Sequence, residues 1–153
     1  MIVISACLGG IACRYDGSDN LVSKIEDLLQ QEDTVLICPE VLGGLPTPRP
    51  SAEIIGGNGD DVLDGKAKVM TKGGENVTEA FVRGAYKALE QMKDLHPEYI
   101  ILKERSPSCG SSTIYTGEFN GNKQTGYGVT TALFKRHGLK VISEEDFDKE
   151  KRN

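Results

Sequence analysis

Three cysteines stand where an apolar run breaks into glycine or proline. They are Cys7 in Ile-Ser-Ala-Cys-Leu-Gly-Gly, Cys38 in Leu-Ile-Cys-Pro-Glu and Cys109 in Ser-Pro-Ser-Cys-Gly. A lone buried cysteine is usually core packing. A packed cysteine belongs inside the apolar run, however, and these lie just past its end. The carboxyl edge of a parallel sheet is where reactive groups collect. Three thiols brought to that edge from distant segments form a soft-ligand centre for a metal or an iron–sulfur cluster. Spacing adds little, because the chain has no Cys-x-x-Cys pair and no ferredoxin pattern.

Cys13 follows Cys7 by six residues. As a fourth ligand it would close the site, as in structural zinc centres; otherwise one coordination position stays open. Glu40 lies two residues beyond Cys38, and Ser106 and Ser108 flank Pro107 just before Cys109. On position alone these are a solvated carboxylate and two turn serines. Beside a metal they are a general base and a proton donor or positioner. Arg14, Arg49 and Arg105 neighbour the cysteine loops or the proline-rich loop and are candidates for an anionic or carbonyl-bearing ligand. His96 and His137 fall at helix ends and give little support to a Cys/His pair. Cys7-Leu8-Gly9-Gly10 lacks both the dinucleotide fingerprint and the P-loop lysine.

These residues need elements to hold them. Ile2-Val3-Ile4, Val35-Leu36-Ile37 and Tyr99-Ile100-Ile101-Leu102 read as buried strands, and Leu139 to Ile142 as a short last one. A helix is expected after an Asn20 cap, with Leu21, Ile25, Leu28 and Leu29 on one face. The clearest helix runs from about Val77 to Leu95, and another from Val129 to His137 ends at Gly138. Val41 to Ser51 reads as a rigid proline-rich loop, and Ala52–Ile55 with Ala67–Met70 as a small antiparallel pair around a Gly/Asp-rich loop. Alternating strands and helices predict a single three-layer α/β domain. Its sheet is expected to be mainly parallel and Rossmann-like, with a small antiparallel insertion, and the tail from about residue 144 short or frayed.

The bulk properties exclude several classes. With 153 residues, a formal charge of −5 and no apolar run of membrane length, the chain is neither a nucleic-acid backbone binder nor a membrane protein. There is no basic leader before the first strand, and four unevenly spaced cysteines do not make a disulfide scaffold. A reducing cytoplasm is the expected compartment.

Four segments, in order, carry a resemblance: Ser5-Ala6-Cys7-Leu8-Gly9; Arg14-Tyr15-Asp16-Gly17; Cys38-Pro39-Glu40-Val41 through Gly43-Gly44-Leu45-Pro46 to Pro48-Arg49; and Lys103 through Arg105-Ser106-Pro107-Ser108-Cys109-Gly110. They resemble the family of small bacterial proteins that includes the thiouracil desulfidases. The resemblance implies a 4Fe–4S cluster on Cys7, Cys38 and Cys109 with one open iron, Cys13 being a bystander. It implies Glu40 and Ser106 as catalytic residues, and Arg14 and Ser108 are the substrate-binding candidates. The implied reaction is non-redox: substrate sulfur binds the open iron, and 4-thiouracil becomes uracil plus hydrogen sulfide. The alternatives are a zinc–thiolate hydrolase on the same cysteines, or a non-enzymatic metal-binding or sensor domain with a four-cysteine site.

Overall fold

The computed structural model describes residues 1–9, 23–31 and 33–150. The first half of the chain runs β1 (Ile2–Ser5), α1 (Ser23–Gln31), β2 (Thr34–Ile37), α2 (Pro39–Leu42), β3 (Ala52–Ile55), α3 (Gly59–Leu63) and β4 (Lys68–Thr71). The second half runs α4 (Thr78–Leu95), β5 (Tyr99–Leu102), β6 (Thr113–Tyr115), β7 (Lys123–Thr125), α5 (Val129–Arg136), β8 (Val141–Ser143) and α6 (Glu144–Glu150).

The main sheet has the order β2-β1-β5-β8, and its pairs are all parallel. Side chains alternate across a pleated strand, so each strand feeds two cores. Val3, Ile100, Leu102 and Val141 face Phe81, Leu89 and Met92 of α4 and Leu133 and Phe134 of α5. Ile2, Ile4 and Ile101 face Ile25 and Leu28 of α1 and Phe147 of α6. Helices therefore cover both faces, which gives the three layers expected. Burying each of the larger side chains contributes about 1.5–3 kcal/mol.

The chain leaves β1 toward β2 on one side and later returns as β5 on the other. That reversal opens a crevice at the carboxyl ends of β1 and β5, the place where open α/β sheets bind ligands.

The antiparallel pair is formed by β3 and β4. Two helical turns and a hairpin were not foreseen. The loop after Cys38 opens with a helical turn, α2, which Pro39 starts with a φ already suited to a helix. The Gly/Asp-rich loop contains α3, nucleated by a reciprocal cap: the Asn58 side chain accepts from the Asp61 N–H and the Asp61 carboxylate from the Asn58 N–H. β6 and β7 form a second hairpin. The last strand lies slightly later than expected, at Val141–Ser143, and Glu144–Glu150 is helical. The Asn20 cap and Leu21 lie outside the described residues.

Candidate active site

Cys7, Cys38 and Cys109 line one cavity of about 540 Å³ at the carboxyl edge of the main sheet. Cys7 sits in a single tight helical turn, Ala6–Gly9, that leaves β1. Cys38 is the residue before α2 at the end of β2. Cys109 lies in the loop after β5. Cys7 and Cys109 are buried and Cys38 is half-buried.

Each loop is held rigidly. Main-chain groups of α2 pack directly on α4 at Gly84, where an added Cβ would stand 2.0 Å from the Pro39 carbonyl oxygen. Arg83 closes the end of α2 by donating to the Gly43 carbonyl from Nε (3.0 Å) and Nη2 (2.6 Å). On the other side, the opening N–H groups of α5 are satisfied by the Cys109 loop. Val129 donates to the Pro107 carbonyl and Thr130 to the Ser108 carbonyl, each at 2.8 Å. The Thr131 hydroxyl donates to the Cys109 carbonyl at 2.8 Å. Loop and helix thus complete each other's hydrogen bonding.

Ser106 lines the cavity, and its hydroxyl oxygen accepts the N–H groups of Ser108 (3.1 Å) and Cys109 (3.0 Å). Glu40 also lines it. Arg49 grips the Glu40 carboxylate with two donors on one oxygen, Nε at 3.0 Å and a close Nη2. Nη1 of Arg49 meanwhile holds the Pro46 carbonyl and the Thr47 hydroxyl, both at 3.1 Å, so the arginine ties the proline-rich loop to α2. Arg105 also lines the cavity and pairs with Glu145 at 2.8 Å.

One site candidate does not line the cavity. The Ser108 side chain is buried away from the cavity and meets the Thr130 hydroxyl at 2.7 Å, because the turn that presents Cys109 rotates its neighbour into the start of α5. The geometry gives it a loop-anchoring contact. Arg14 and Cys13 lie outside the described residues.

A buried carboxylate, Glu104, organises the Cys109 loop and was missed in the sequence. Its Oε1 accepts the N–H groups of Ser111 (2.9 Å), Ser112 (3.0 Å), Thr113 (3.1 Å) and Arg105 (3.3 Å). Its Oε2 accepts the hydroxyls of Ser111 (3.2 Å) and Ser112 (2.9 Å). Burial pushes this carboxyl up, but the donors, led by Ser112 and Thr113, outweigh it and hold it below the ordinary value. Glu144 is also buried and receives the Glu104 N–H on both oxygens at 3.0 and 3.1 Å. Burial pushes its carboxyl up, against the pull of Lys103 3.5 Å away. The only signal in the sequence was the run of donors Ser111-Ser112-Thr113 close to a carboxylate that ends a strand.

Burial pushes the Cys109 thiol up, and Glu40, Cys38 and Cys7 push the same way, against a hydrogen bond with Ser5. The three thiols and Glu40 are thus close enough to feel one another. They concentrate potential negative charge in a partly buried cleft. Such a donor set is costly as thiolates unless a cationic, sulfur-loving group sits among them.

Fold and site together define a small parallel α/β protein with a three-thiol pocket at its switch point. A family profile described as 2-thiouracil desulfurase matches residues 2–146, and the chain belongs to that family. It is 53% identical over 148 residues, 97% of this chain and 98% of its relative, to the uncharacterised protein YbbK of Bacillus subtilis strain 168. Among solved structures it is similar to the [4Fe-4S]-dependent thiouracil desulfidase TudS (DUF523Vcz). That match has 42% identity and a TM-score of 0.83, over 97% of this chain and 93% of the other. Among the described residues no helix is long and apolar enough to cross a membrane.

Proposed function

We propose that this chain is a [4Fe–4S]-dependent desulfidase that exchanges the exocyclic sulfur of a thiolated pyrimidine, 4-thiouracil, for oxygen. The reaction is a hydrolysis: thiocarbonyl plus water gives carbonyl plus hydrogen sulfide, with no net electron transfer. The observation that carries this reading is the convergence of Cys7, Cys38 and Cys109 on one cavity with Glu40 and Ser106.

The donor set fits the cluster. Among the described residues no group of three Cys, His, Asp or Glu side chains is gathered tightly enough to hold a single metal ion. Three thiols around a shared cavity are the soft donors that an iron–sulfur cluster takes. Cys7, Cys38 and Cys109 would hold the cluster, and when bound it supplies a soft Lewis acid for a thiocarbonyl.

The protein supplies the proton handling. Among the described residues, the two Arg49 donors to Glu40 both fall on Oε2, and Oε1 is the oxygen that would take a proton from the attacking water. Ser106 already accepts two N–H groups, so its hydroxyl proton is the part left to offer. It serves as donor to the pyrimidine and not as base. Three cysteines gathered in one cavity as soft ligands fit a reducing cytoplasm.

Anaerobic reconstitution with iron and sulfide is expected to give the broad visible absorbance of a cluster and sulfide release from 4-thiouracil. Glu40→Gln should keep the absorbance and lower kcat by about 10²–10⁴. A reconstituted protein that frees no sulfide from any thiopyrimidine would refute the assignment.

A further inference from the structure

The wall of the cavity supplied by the second hairpin belongs to none of the cysteine loops. Tyr115, at the end of β6, and Phe119, in the β6–β7 turn, both line the cavity that the three thiols share. Both are half-buried. Phe119 has a φ of +56°, a left-handed conformation that bulky residues seldom adopt. Something must hold it there.

That holder is Glu53 on β3, which also lines the cavity. Its Oε1 accepts the N–H of Gly117 at 2.9 Å and that of Phe119 at 3.3 Å. The turn can approach β3 this closely only because residue 117 is glycine. Its φ is +93°, and a Cβ there would stand 2.6 Å from the Ile54 carbonyl oxygen. A carboxylate, a glycine and a left-handed phenylalanine are thus arranged to hold one aromatic ring at the rim of the pocket.

The geometry points to Phe119, with Tyr115, as the stacking wall for the planar heteroaromatic ring of the substrate, and to Glu53 as the positioning residue that sets Phe119 in place. This inference rests on the desulfidase reading and adds what that reading lacks, a physical basis for choosing a ring thione. Base–aromatic stacking depends on a π-face rather than on a particular edge, so the wall recognises the ring while the sulfur centre recognises the thione.

The test uses the reconstituted holoprotein under anaerobic conditions, with 4-thiouracil as substrate and uracil as a non-reacting ring. Phe119→Leu keeps apolar bulk but removes the ring. It is expected to raise KM for 4-thiouracil and to weaken calorimetric uracil binding about tenfold, with kcat changed much less and the cluster absorbance unchanged. Phe119→Tyr should restore both. Glu53→Ala should reproduce the KM effect. Because Glu53 acts through Phe119, the double variant should lose little more than Phe119→Leu alone.

If wild type releases sulfide while Phe119→Leu keeps its KM and uracil affinity, the wall is wrong and the desulfidase reading stands. Ring binding that is weakened in Phe119→Leu, in a protein that releases no sulfide, would keep the wall and remove the reading. Strictly additive losses in the double variant would overturn the role of Glu53. A wild-type holoprotein that neither binds uracil nor releases sulfide overturns both proposals.

Discussion

At the residue scale, Glu104 shows how much of the site is built by one buried carboxylate. Six donors converge on its two oxygens and fix the segment from Arg105 to Thr113 that carries Cys109. Replacing it with glutamine removes the charge and turns one acceptor into a donor facing donors. Glu104→Gln should cost about 2 kcal/mol at neutral pH, read as a lower urea midpoint. The pH dependence follows from the direction of the shift. A carboxyl held below its ordinary value of 4.5 stabilises the fold while both states are ionised. That contribution is lost as pH falls below 4.5 and through the folded value. The gap between wild type and variant should therefore be widest near neutrality and shrink in acid; a gap that grows in acid would contradict the assigned cause. Cys7, Cys38, Cys109, Glu40 and Ser106 were legible in the sequence because each lies within a few residues of a strand exit. Glu104 was not, and Arg49 was legible as a ligand candidate but not as the partner of Glu40, since what they hold becomes visible only once the loops have folded back. Ser108 shows that adjacency in sequence does not fix direction: it is next to Cys109, and its hydroxyl meets Thr130 of α5.

At the element scale, the position of Cys38 and Glu40 depends on how closely α2 lies on α4. Gly84 permits main-chain contact there, and Arg83 fastens the end of α2 through the Gly43 carbonyl. Gly84→Ala would place a methyl 2.0 Å from the Pro39 oxygen, which neither backbone can absorb without shifting. Two effects oppose each other, since alanine favours the interior of α4 by up to about 1 kcal/mol over glycine. Overpacking costs about 1–3 kcal/mol and should win. Expected are a lower melting temperature, weaker iron retention and a loss of kcat larger than the stability change alone explains. Unchanged melting and iron content would mean that α2 has room the packing does not suggest. The long amphipathic α4 and the buried strands were readable from periodicity, because long regular elements repeat their signal. α3 and the β6–β7 hairpin carry theirs in one capping pair and in turn glycines, each too brief to separate from loop.

At the scale of the whole molecule, the three thiols join segments far apart in the chain, at positions 7, 38 and 109. They leave β1, β2 and β5, three adjacent strands of one sheet. A group bound by all three would close two long loops that the unfolded chain leaves open, so binding it is linked to folding. A ligand that binds the native state and not the unfolded one raises stability by an amount set by its affinity, about 2.7 kcal/mol at a hundredfold excess over Kd. The reconstituted protein is therefore expected to unfold at a higher urea concentration than the apoprotein when both are kept anaerobic. Changing any one of Cys7, Cys38 or Cys109 to serine should erase most of that difference. Cys13→Ser should preserve it if three ligands and an open position are the arrangement, and should erase it if Cys13 closes a four-thiolate site. The comparison needs no substrate, so it reports on the ligand set independently of catalysis. Equal midpoints for holo and apo protein would show that the cluster is not held across the three strand exits, whatever its spectrum.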